Sequence, residues 1–434
     1  MIHYMTSEGL GSPWVGNELR IVTRAGVPVT LHMMRRPERI HFTSDWAKQI
    51  QQNAAPPLYP IRVVPFVLNN LAAPFVFGPK WFGALGNALF GERENSRARV
   101  ATLAHLFVAA SWAMDMRRAA VSHVHAQWAF GSATIAMYGA WLLGVPFSFT
   151  GHAVDLTRQR VALRDKINRA SFIIAISEWH RNFYIEQDAG ATPGLADKIH
   201  VAYCGIYTDE MVPASPQARA ARANEPFTIL SAGRLIEKKG FPHLIEACTI
   251  LKRRGRKFRC IIAGSGPDEA MLRSLIETLG VGDVVTMTGK ALQQETIPAF
   301  MHAGDLFVLA CVVAKDGDVD GLPQLTMEAM GCGLPAVTTR LVGNPDLVIH
   351  ERTGLLVDPG NAEQLAAAIE RVMDDPALRE RLARDGREHV LRVFDITGSL
   401  EPLIRRFKDA LGQPHQTDQH SRATPEPEHE GALR

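Results

Sequence analysis

Arg234 and Lys239 stand five residues apart in the segment Ser231–Gly240, with Gly233 to let the chain turn ahead of them. Two cations on one loop can be laid on a diphosphate, Arg through its planar fork and Lys as a point charge. By spacing alone they read equally well as surface charge. A second segment, Ile262–Pro267, carries Gly264 and Gly266, which would let the backbone approach a nucleotide closely. No third Gly completes the dinucleotide fingerprint, so a plain turn also accounts for them. In the third, Asp320-Gly321-Leu322-Pro323-Gln324-Leu325-Thr326-Met327-Glu328, Pro323 suits a first helical turn, and the N–H groups near Gln324, Leu325 and Thr326 are expected to point outward as an anion site. Asp320 and Glu328, eight positions apart, can both face one ligand and accept from sugar and ribose hydroxyls. An acidic pair around a helix start is also an ordinary dipole partner. The fourth segment is Thr150–Asp155, where His152 lies between Gly151 and Asp155. A lone His is more often structural, but at a strand end it can reach across a cleft.

These residues need strand ends to hold them. In open α/β sheets ligands sit beyond the carboxyl ends of the strands, where loops turn into helices. The second half of the chain alternates short aliphatic runs with helical spacing: strands at 227–230, 258–263, 284–287 and 305–309, and helices marked by Leu244, Ile245, Cys248, Leu251 and by Met271, Leu272, Leu275, Ile276, Leu279. This predicts a doubly wound parallel layer. The first half repeats the pattern more faintly, with strands at 29–31, 123–125, 147–149 and 173–176. Between them, Pro213–Gln217 and Ala218–Glu225 have no strand pattern and read as a linker.

With 434 residues, 46% hydrophobic and 21% charged, the chain holds two large globular domains rather than a disordered or fibrous one. A net charge of +2 gives no basic field of the kind nucleic-acid partners require. Five scattered cysteines show no CxxC and no metal-ligand spacing, and the first residues lack the basic-then-apolar order of a signal peptide, so a reducing, cytoplasmic setting is expected. The uncharged stretch 127–154 is the best candidate for a membrane span, but its glycines and Pro146 suit a helix followed by a buried strand. Residues 57–92 are rich in Pro, Phe and Trp. They read as a helical hairpin on the first domain or as a patch resting on a membrane or a lipid-bearing acceptor.

The segments GRLIEKKG, IAGSGP, DGLPQLTMEAMGCGLPAV and ERTGLLVDPGN, in this order and spacing, resemble the retaining glycosyltransferases of family four, covering most of residues 227–395. HVHAQWA, FSFTGHAVD and IIAISEWHR resemble that family's acceptor-domain landmarks more loosely, and within the family the likeness is to bacterial exopolysaccharide enzymes of the colanic-acid type. The resemblance implies a GT-B fold: two Rossmann-like α/β domains facing across a cleft. With the linker read from its Pro- and Ala-rich composition and the tail from its polar composition, the chain divides into an acceptor-binding domain at 1–205, a linker at 206–225, a nucleotide-sugar domain at 226–395, a helix at 396–410 packing back on the first domain, and a disordered tail at 411–434. The resemblance implies that Arg234 and Lys239 hold the donor diphosphate, Glu328 the ribose, Asp320 the sugar hydroxyls and His152 the sugar from the opposite domain. Gly264, Gly266, Gly321, Leu322, Pro323, Leu325 and Thr326 would line the donor, and Gly16, in the loop before the first helix, would let the backbone approach the phosphates. The family's E-x7-E pattern here begins with Asp320, one methylene shorter, and GLGSPWVGNE is not its usual glycine pair.

The implied reaction moves a hexose from a UDP- or GDP-linked donor to a saccharide or polyprenyl-linked oligosaccharide, with retention of anomeric configuration. It needs no cofactor or metal if fixed cations and helix N–H groups stabilise the leaving diphosphate. A metal-binding D-x-D is present at Asp316-Gly317-Asp318-Val319-Asp320, but deep in the second half rather than after a nucleotide-binding first half. A nucleotide-sugar epimerase of the same architecture and a catalytically silent nucleotide-sugar binder are the alternatives. Peripheral contact with the inner membrane is a further expectation.

Overall fold

The computed structural model describes residues 1–413 apart from 39–41, 43, 159, 223 and the side chain at 219. Among the described residues twelve strands form two six-stranded sheets. The first contains β1 (Ile2–Thr6), β2 (Val29–Met33), β3 (His123–Gln127), β4 (Phe147–Gly151), β5 (Phe172–Ala175) and β6 (Ile199–Val201), in the order β2-β1-β3-β4-β5-β6. The second contains β7 (Phe227–Ala232), β8 (Phe258–Ala263), β9 (Val285–Met287), β10 (Leu306–Leu309), β11 (Ala336–Thr339) and β12 (Leu355–Val357), in the order β12-β11-β10-β7-β8-β9. All pairings are parallel. Each sheet reverses its winding once, between β1 and β3 and between β7 and β10. Loops leaving those strands part to opposite faces and open a crevice.

Parallel sheets are covered on both faces, so their strands are buried at every position rather than alternately. β1, β3 and β4 are of this kind. Burial of both faces admits histidines that have partners: His3 Nδ1 meets His32 Nε2 at 2.8 Å, and Trp112 Nε1 donates to His32 Nδ1 at 3.1 Å. β1 is absent from the expected strands, because His3 and Tyr4 disguise it.

The chain's last described segment returns to the first domain. Helices Ile396–Ser399 and Glu401–Leu411 bury Leu403 and Phe407 in one cluster with Ile2, Tyr4, Leu10 and Phe172. Each such side chain, when fully buried, stabilises by roughly 1.5–3 kcal/mol. The first domain is therefore completed by residues that follow the second. Leu411 belongs to that helix; the rest of the tail expected to be disordered, from 414 on, lies outside the described residues. Within the expected linker, residues Pro216–Ala221 are helical.

Residues 57–92 contain the helices Val63–Phe77 and Pro79–Phe90, which turn at Gly78 (φ 51°) and pack on the long helix Ser96–Met116. Ala73, Ala84 and Ala88 face inward. The stretch 127–154 divides into the end of β3, the helix Gly131–Leu143 and β4. Among the described residues no helix is long and apolar enough to cross a membrane.

Candidate active site

The reversal between β7 and β10 brings together the loop 233–240 and the loop 310–323. Gly240 makes this possible. It has φ 64°, and a Cβ there would stand 1.7 Å from the Ala310 carbonyl oxygen. Lys239 is thereby set against Asp320 in a direct ion pair, both side chains 14% exposed, and Cys311 Sγ donates to the same carboxylate at 3.6 Å. Lys238 bonds Asp318 at 3.2 Å and approaches Asp320 at 3.6 Å. Burial alone would raise the Asp320 carboxyl, but Lys239 and Lys238 outweigh it and hold the group below its ordinary range. Burial likewise opposes charge on Lys239, and Asp320 more than restores it. Arg234 is exposed, and its side chain makes no hydrogen bond or ion pair among the described residues.

The carboxylates of the D-x-D stretch thus all face cations, since Asp316 pairs with Arg158 of the first domain at 2.9 Å. Among the described residues no cluster of His, Cys, Asp and Glu is arranged to hold a metal.

Glu328 lies on the buried side of the helix Gln324–Gly331, 4% exposed. Burial pushes its carboxyl up to about 7, against a 2.9 Å hydrogen bond donated by Gln294 Nε2. Gln294, 34 residues earlier, carries no motif that would have marked it. Pro323 is the cap of this helix rather than part of its first turn. The amide of Thr326 turns back to the Pro323 carbonyl at 3.1 Å, so of the three amides expected to be free only those of Gln324 and Leu325 stay unengaged among the described residues. Leu325 and Leu322 pack against the core beneath.

The structure gives the glycines a packing role. A Cβ on Gly264 would meet the Gly233 carbonyl oxygen at 2.0 Å, and one on Gly266 would meet that of Leu235 at 2.4 Å. Both allow the loops after β7 and β8 to knit together, which Leu235 N donating to Ser265 O at 3.0 Å confirms. Gly16 is not in a loop. It lies inside the helix Pro13–Arg24, started by its proline, and a Cβ there would lie 2.1 Å from the Phe42 ring. Its bareness serves packing.

Gly321 brings the two domains into contact: a Cβ there would sit 3.2 Å from Ala153 Cβ, the neighbour of His152, and 3.3 Å from His180 Cε1. His152 follows β4, 8% exposed, with its Nε2 2.8 Å from Gln127 Oε1. Gln127 in turn donates to both oxygens of the buried Glu18, at 2.8 and 2.9 Å, and Tyr4 donates its hydroxyl to the same carboxylate. That fixes the Gln127 amide and places the ring proton of His152 on Nε2. Burial lowers the imidazole to about 4. The rings of Trp128 and Trp14 lie tilted beside it, with centroids at 4.5 and 6.1 Å, and Trp128 holds φ 75°, a left-handed backbone that bulky residues rarely adopt and that gathers at functional sites. Gln294, Lys238, Gln127, Glu18 and Trp128 are site residues that the sequence reading did not single out.

Residues 216–389 match the model of the family described as glycosyl transferases group 1. The second domain belongs to that family. A putative colanic acid biosynthesis glycosyltransferase of Escherichia coli (strain K12), WcaL, is 40% identical over 213 residues, 48% of this chain and 51% of its own length. The amylovoran biosynthesis glycosyltransferase AmsK of Erwinia amylovora is 38% identical over 42% of this chain and 44% of its own. The chain thus spans about half the length of these curated relatives. The structure of Anabaena Alr3699/HepE in complex with UDP superposes over 94% of this chain and 99% of its own with a TM-score of 0.65 at 19% identity. The two domains around the group 1 site have the GT-B fold.

The raised Glu328 carboxyl has a consequence for pH. Between its ordinary value near 4.5 and about 7 the folded protein binds more protons at Glu328 than the unfolded chain. Its contribution to stability therefore falls as pH rises through that window. Carboxyl-carbon NMR on glutamate-labelled protein should show Glu328 titrating near 7, and Gln294→Leu, which removes the donor to its ionised form, should move the midpoint higher. A midpoint in the ordinary range for both proteins contradicts this description.

Proposed function

We propose that the protein is a retaining hexosyltransferase that moves a sugar from a UDP- or GDP-linked donor to a saccharide or polyprenyl-linked oligosaccharide in exopolysaccharide synthesis. The observation that carries this reading is the pairing of Lys239 with Asp320 where the second sheet reverses, in a group 1 domain, one residue from the contact with Ala153.

The chemistry follows from charge. Breaking the anomeric C–O bond leaves a nucleoside diphosphate, and its growing negative charge needs stabilisation that is already in place. Lys239 and the unpaired Arg234 supply cations, and the amides of Gln324 and Leu325 supply N–H donors. Asp320, displaced from Lys239 by phosphate, is left to accept from sugar hydroxyls, and Glu328 accepts from the ribose. His152 meets the sugar as a neutral group at pH 7, since burial holds its pKa at about 4. The acceptor hydroxyl attacks the anomeric carbon from the face the leaving group departs, and its proton passes to the released phosphate oxygen. No protein nucleophile and no metal takes part. The exposed face of the hairpin 63–90, with Leu68 60%, Leu71 66%, Phe75 90% and Phe90 85% exposed, rests on the membrane that carries a lipid-linked acceptor.

Two measurements test this. In a thermal-shift panel of nucleotide sugars one donor should stabilise the wild type and lose its effect on Arg234→Ala. With that donor, Arg234→Ala or Lys239→Ala should lower turnover by about 10²-fold or more. Near-normal rates in both remove the donor-site assignment, and inverted sugar without transfer points to an epimerase. For the membrane, the wild type should co-sediment with vesicles containing phosphatidylglycerol and Phe75→Glu/Phe90→Glu should stay in the supernatant; equal partition of the two sinks the contact.

A further inference from the structure

A cavity of about 480 Å³ lies in the first domain beside the cleft, lined among others by Arg97, Ala101, Phe130, Arg158, Arg160 and Val161. Three arginines face it, and its acid is already committed: Glu94 accepts from the amides of Ala162 and Leu163 at 2.9 and 2.7 Å. Arg160 is occupied, bonding Gln187 at 3.0 Å and stacking on Phe183. Arg158 is shared with Asp316 across the cleft. Arg97 is exposed, and its side chain makes no hydrogen bond or ion pair among the described residues. Beneath Phe130, the buried Lys166 amine donates to the carbonyls of Ala129 and Phe130 at 2.6 and 2.9 Å and fixes the floor, while burial lowers its pKa to about 7, so the cationic lining is that of the arginines. The cavity is thus built for an anion.

Its two borders say which kind. On one side the helix that carries Arg97 continues to Val100, 70% exposed, and Arg99 donates to the Leu89 carbonyl of the apolar hairpin. On the other side Arg158 reaches Asp316, four residues before Asp320, and Gly317 lies against the Thr157 carbonyl. From one edge to the other the surface runs apolar, cationic, then sugar-binding. We propose that this cavity holds the diphosphate of a lipid-linked acceptor, with its hydrocarbon on the hairpin face and its saccharide extending to the cleft. Arg97 is the free cation for it, and Arg158 exchanges Asp316 for a phosphate oxygen. Bidentate guanidinium contact suits that group. This assignment deepens the transferase reading above and rests on it for the identity of the acceptor.

Farnesyl diphosphate serves as a short prenyl diphosphate probe. Calorimetric titration of the full chain is done with UDP and GDP both saturating, so that the donor loops are occupied. The wild type should bind farnesyl diphosphate at least tenfold more tightly than farnesol or inorganic pyrophosphate. Arg97→Ala should weaken it tenfold or more, and Arg97→Ala/Arg158→Ala should abolish saturable binding while both variants keep the wild-type thermal shift with nucleotide. Unchanged affinity in the double variant, or farnesol binding as tightly as its diphosphate, overturns the assignment. Absence of any nucleotide-induced shift in the wild type is a different failure. It defeats the transferase reading, whereas the comparison of probes and variants still decides the cavity.

Discussion

Burial opposes the charge of Lys239 where the second sheet reverses, and Asp320 more than restores it. The pair organises more than itself. Lys238 joins it from the same loop, and Asp316 at the other end of the acidic stretch is held by Arg158 of the first domain. One five-residue run, Asp316 to Asp320, is thereby fastened to two loops and to both domains. Ion pairs of this kind contribute little net stability, because desolvation offsets attraction. Removing one partner is costly, since a buried charge is left alone. Such a network therefore specifies geometry, and an incoming anion that replaces a carboxylate can rearrange it without stranding a cation.

The facing domain is organised instead by a chain of hydrogen bonds that ends on the buried Glu18 carboxylate. The chain His152–Gln127–Glu18–Tyr4 is buried throughout, and each member fixes the donor or acceptor state of the next. His152 is oriented and uncharged, and the strained Trp128 backbone keeps an indole beside it. A sugar between the domains would meet cations and carboxylates on one side and neutral polar and aromatic groups on the other. This division of labour suits a reaction in which charge develops only on the nucleotide side.

Much of this was legible in the amino-acid sequence, for identifiable reasons. Strands β7 and β10 are buried on both faces and read as aliphatic runs, and the spacing of Lys239, Asp320 and Glu328 marked the loops that follow β7 and β10. β1 was not legible, because His3 and Tyr4 are tolerated in its core only through His32 and Glu18, partners distant in the chain. The strands β6, β11 and β12 were also absent from the expected set. The packing role of the glycines was not legible for another reason. Gly16, Gly264 and Gly266 are small because Phe42, Gly233 and Leu235 occupy the space, and a sequence does not say what fills the room a side chain leaves.

The central claim is that Lys239 passes from Asp320 to the donor's phosphates. A crystal structure of the protein with UDP or GDP bound tests it directly. The account predicts Lys239 Nζ within hydrogen-bond distance of a phosphate oxygen and the Asp320 carboxylate released from it. Phosphates seated elsewhere, with the Lys239–Asp320 pair intact, would contradict it.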